Sequence, residues 1–98
     1  MGDIHSSENS QFRSARRANI KAVCKLMGWP RPRYISSGSS GYICRWSSYP
    51  FVRDFGVESS YKAVAKIYST LGINCRLTSA GHLIIPFAEE VHDENSRS

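Results

Sequence analysis

Lys21-Ala22-Val23-Cys24-Lys25-Leu26 and Lys62-Ala63-Val64-Ala65-Lys66-Ile67 are two versions of one block, 41 positions apart in a chain of 98 residues. In both, apolar residues recur three and four apart, the spacing of one face of an α-helix. Each block leads into a comparable sequel. Gly41-Tyr42-Ile43-Cys44-Arg45-Trp46 falls at the same offset as His82-Leu83-Ile84-Ile85-Pro86-Phe87, and each follows a Ser/Gly turn. The reading is a doubled helix-hairpin unit, αββαββ. Its simplest packing is an α+β two-layer sandwich, a tandem αββ repeat with two helices on one face of a four-stranded antiparallel sheet. One such domain is expected over residues 10–88, between a disordered arm at 1–9 and an acidic disordered tail at 89–98.

Outward from the first block, a helix is predicted near 11–27, with Ser10 as N-cap and Phe12, Ile20, Val23, Cys24 and Met27 on one stripe. Gly28 supplies a left-handed cap, and Pro30 and Pro32 forbid continuation. Trp29 either folds back on the last helical turn or offers its ring to a base or an acidic partner. A hairpin follows near 33–47, with Tyr42, Cys44 and Trp46 on one face and Ile43 and Arg45 on the other. Residues 47–56 read as a packed connection.

Around the second block, Ser59 or Ser60 caps a helix near 59–71 that ends at Gly72. Its expected core face is Tyr61, Val64, Ala65, Tyr68 and Leu71. A second hairpin near 73–87 turns Ile73, Cys75, Leu77, Leu83, Ile85 and Phe87 inward. The helices leave one sheet face open, carrying Ser36, Ile43, Arg45, Asn74, Arg76, Thr78, His82 and Ile84. That face is a candidate binding platform or homodimer interface.

Charge is distributed unevenly. No acid occurs between Glu8 and Asp54, while nine bases do: Arg13, Arg16, Arg17, Lys21, Lys25, Arg31, Arg33, Arg45 and Arg53. Residues 13–76 hold twelve bases against Asp54 and Glu58, and four of the eight acids lie at Glu89, Glu90, Asp93 and Glu94. Arg13, Arg17, Lys21 and Lys25 stand four apart and form a ridge on the first helix. A body so basic attracts polyanions or acidic protein surfaces. The nine bases are therefore the candidate nucleic-acid-binding residues, with Trp29, Tyr34 and Tyr49 available to stack on bases. The alternative is a protein-binding inhibitor or adaptor of mobile-element, phage-like origin that blocks a host's nucleic-acid machinery.

Three cysteines, Cys24, Cys44 and Cys75, are an odd number set in apolar segments, which points to reduced core thiols and a cytoplasmic setting. Residues 1–6 have neither the basic start nor the apolar run of a signal peptide, and no stretch approaches the roughly 20 apolar residues of a membrane span. No Cys-x-x-Cys or His-x-x-x-His spacing indicates a metal, and no cofactor is indicated. The body lacks paired carboxylates, and a serine or cysteine nucleophile would have to recruit His82 as its base.

Lys62 to Gly72 followed by Gly81-His82-Leu83-Ile84, with Gly28-Trp29 and Gly41-Tyr42-Ile43 in the first copy, resembles the front half of the HicA toxin family. These are small double-stranded-RNA-binding-like proteins that cleave messenger RNA. The likeness covers about a third of the chain in each copy. The first copy has Tyr42 near the place where the family carries histidine, and the second has no following strand and helix. What the resemblance implies is a ribonuclease role for His82 alone; the expectation from the residues themselves is a binding protein without enzymatic activity.

Overall fold

A computed structural model of the chain describes residues 16–88, which form an α+β fold with a four-stranded antiparallel sheet. In order, the elements are α1 (Ala18–Met27), β1 (Tyr34–Ser37), β2 (Gly41–Arg45), α2 (Phe51–Phe55), α3 (Val57–Leu71), β3 (Arg76–Leu77) and β4 (Leu83–Pro86). The expected arm, tail and Ser10 cap lie outside the described residues. Gly28 and Gly72 both take φ 72°, closing α1 and α3 by donating backbone N–H bonds to Cys24 and Tyr68. Both stops follow from glycine's freedom to adopt the left-handed conformation.

The sheet runs β1-β2-β4-β3. Its central pairing sets Tyr42 against Ile85, Ile43 against Ile84 and Cys44 against Leu83. Ile43 and Ile84 are 41 positions apart, the offset that separates the two helical blocks. Alternation along β2 and β4 sends Tyr42, Cys44, Leu83 and Ile85 into the core, while Ile43, Arg45 and Ile84 are only half-buried on the opposite face. The core is completed by Ile20, Val23 and Cys24 of α1, Phe51 of α2, Ile67 of α3, and Cys75. Each large apolar side chain fully buried there contributes roughly 1.5–3 kcal/mol relative to exposure, before ordering costs are subtracted.

Five local expectations are corrected. First, α3 presents Ser60, Ala63 and Ile67 to the core, while Tyr61, Ala65 and Tyr68 are exposed and Leu71 is largely so. The helix is thus turned by about one residue from the expected face, because Ser60 and Ala63 are small enough for close packing whereas the tyrosines carry hydroxyls that need partners or water. The helical faces of the two blocks consequently do not correspond. Second, neither Ser59 nor Ser60 caps α3. The helix starts at Val57, after Gly56 at φ 98°, and Ser60 Oγ donates to the Gly56 carbonyl from inside the helix.

Third, part of the 47–56 connection is helical, since Pro50, already set at φ −60°, precedes the short α2. Fourth, β3 is only two residues long, so residues 73–75 are not strand although Cys75 is buried. Fifth, the predicted helix near 11–27 is interrupted at Arg17, whose φ −90° and ψ 2° depart from helical values just before α1.

Candidate functional site

Pro30 and Pro32 exclude further helix, so the chain leaves α1 and, after a bend at Arg33, enters β1. Between α1 and this segment lies a cavity of about 720 Å³. Arg17 and Lys21, four apart on α1, line it together with Arg31. Ile20, Cys24, Pro32 and Ile35 supply its apolar surface. The structure therefore brings together three cations of the nine, from two segments separated in sequence, over an apolar floor.

The other bases are placed differently. The Arg16 guanidinium lies 4.2 Å from the centroid of Phe87, and the Arg16 carbonyl accepts a 3.0 Å bond from the Ala88 amide. Arg17 also stands 5.5 Å from the ring of Tyr42, so its position is coupled to β2. Lys25 and Arg33 are exposed and do not line the cavity. Arg45 and Arg53 sit away from it, over the rings of Tyr34 and Tyr49 at 4.9 and 4.3 Å. Arg13 lies outside the described residues. Among those described, the one ion pair joins Lys62 and Glu58 on α3, so none of these arginines or lysines is neutralised by a described carboxylate.

Arg76, expected on the open face but not among the nine candidate bases, donates from its guanidinium to Ser40 Oγ. Its place on that face agrees with its pairing opposite Ile84. Trp29 is withdrawn from the candidate stacking residues. Its ring makes edge contacts with Trp46, Phe51 and Phe55 at 5.3–5.5 Å, and its amide bonds the Cys24 carbonyl. This is the fold-back on a glycine cap.

Burial raises the Cys24 thiol above its ordinary value, so it stays protonated and is a poor nucleophile at neutral pH. His82 Nδ1 is buried and has no hydrogen-bond partner among the described residues. Its backbone is fixed by Thr78, whose amide donates to the His82 carbonyl and whose hydroxyl accepts from the His82 amide. Among the described residues no three His, Cys, Asp or Glu side chains are grouped to hold a metal ion, and no helix is long and apolar enough to cross a membrane. Comparison with family models, curated proteins and solved structures returned no match to this chain.

Proposed function

We propose that the protein is a small nucleic-acid-binding domain acting through phosphate contacts, without catalysis. The observation that carries this reading is the convergence of Arg17, Lys21 and Arg31 on one cavity with no described acid among its lining residues. Cations so gathered take up a polyanion and release its counterions. Affinity then falls steeply with salt, by about 0.9 in log K per log salt for each duplex phosphate neutralised and about 0.7 on single strands. Replacing Arg17, Lys21 and Arg31 together with alanine is expected to lower that slope by about two to three. The loss should be similar on unrelated sequences, because phosphate contacts position without specifying. Titration of a labelled oligonucleotide at several salt concentrations checks this, and an unchanged slope refutes it.

A second reading, the protein-binding inhibitor or adaptor, is favoured by the apolar stripe that α3 leaves outside: Val57, Tyr61, Tyr68 and Leu71. A protein captured specifically from a native host, with no retention on heparin at low salt, would transfer the assignment to it.

A further inference from the structure

Away from the cavity, on the open face and the loop at its end, two tyrosine-arginine pairs are linked through the Arg45 bond to the Ser48 carbonyl. Tyr34 opens β1 and lies opposite Arg45 of β2, so the two side chains share one face of the sheet. The Arg45 guanidinium covers the Tyr34 ring and donates a 3.2 Å bond to the Ser48 carbonyl. The next residue is Tyr49, which carries the Arg53 guanidinium of α2 on its own ring. Both tyrosines remain largely accessible, at 42% and 49% exposure.

The support beneath them is fixed. Ser47 Oγ accepts a 3.0 Å bond from the Tyr49 amide and also bonds Asp54, tying the loop to α2. Trp46 donates its indole N–H to the Pro30 carbonyl at 2.6 Å and packs against Trp29 and Phe51. Four guanidinium-over-ring contacts occur among the described residues, and two of them use the exposed Tyr34 and Tyr49.

An aromatic ring backed by a guanidinium presents a stacking face next to a positive charge. A duplex keeps its bases stacked on one another, whereas a single strand can splay them onto protein rings. We infer that the nucleic acid this protein takes is single-stranded, with successive bases on Tyr34 and Tyr49 and the backbone beside Arg45 and Arg53. The inference rests on the nucleic-acid reading and narrows it. Arg31 and Tyr34 are three residues apart, at most about 10 Å along the chain, so one strand passing the edge of β1 reaches both the cavity and the tyrosine-arginine pairs.

The test uses the full chain, with short oligo-dT, oligo-rU and a duplex of equal length, read by fluorescence anisotropy. The single strands should bind more tightly than the duplex. Leucine at positions 34 and 49 should weaken single-strand binding by roughly 5- to 150-fold per tyrosine and leave the duplex almost unaffected, while phenylalanine at both positions retains binding. The dT and rU arms separate DNA from RNA as the source of the strand. Equal losses on strand and duplex, or no loss on the strand, overturn the inference and leave the cavity reading standing. Failure of the wild-type chain to bind any of the three overturns both. A dimer seen by sedimentation that Tyr34→Leu dissociates, with strand binding unchanged, overturns the inference in favour of a second copy on the open face.

Discussion

A methyl group added at Gly41 would stand 2.5 Å from the Ile85 carbonyl oxygen and 2.8 Å from the Pro86 Cα, both of them backbone atoms of β4. Gly41→Ala is therefore expected to force the central strands apart and to cost about 1–3 kcal/mol, seen as a lower urea midpoint. Nothing in the sequence shows how closely β4 approaches Gly41, because only the strand pairing sets it against Pro86. The cysteines were more legible, since each sits among apolar residues at the spacing of a core face. Burial, the largest cause at both sites, pushes Cys44 and Cys75 from an ordinary 9.0 up to about 12. Their folded state holds protons that the unfolded state has released, so these thiols lower stability as pH rises from 9 toward 12, and below that window their contribution is fully present. Urea midpoints should fall across this range, and the fall should be shallower in Cys44→Ala and Cys75→Ala; an identical pH dependence in the variants would contradict the assignment.

At the scale of elements, α3 illustrates what periodicity cannot decide. Apolar residues cover more than half its circumference, so two overlapping stripes share Val64, and the one richer in large residues is the one the fold leaves outside. Ile67, fully buried, should cost about 2–5 kcal/mol when cut to alanine. Tyr61→Ser and Tyr68→Ser should each stay within about 0.5 kcal/mol, since both rings are mostly in solvent. Urea denaturation of the three variants checks the assignment, and the reverse order would restore the face expected from the sequence. The helix stops were legible because a glycine after an apolar run has one common use. The short α2 was not, because five residues between Pro50 and Gly56 leave too little pattern to tell helix from turn. The brevity of β3 had no sequence signal, as Ile73 and Cys75 alternate like strand residues yet pair with nothing.

For the whole molecule, the excess of positive charge was visible at once, but its grouping was not. The Arg17 and Lys21 ridge follows from helical spacing, whereas the approach of Arg31 depends on the direction in which the proline segment returns. Tyr34 meets Arg45 only because the first hairpin adopts its particular register. The candidate site was thus legible as a list of residues and illegible as a surface. One further consequence belongs to the three enclosed sulfurs, which sit in α1, in β2 and between α3 and β3. A maleimide reaches Cys44 and Cys75 only when the neighbourhood of each opens, whereas Cys24 can also be approached through the cavity it lines, so the three labelling rates, resolved by peptide mass, act as separate clocks. If the molecule opens only as a unit, the Cys44 and Cys75 clocks keep one time once intrinsic reactivity is allowed for. A Cys24 clock that slows when a polyanion occupies the cavity above it would date the binding event without any label on the ligand.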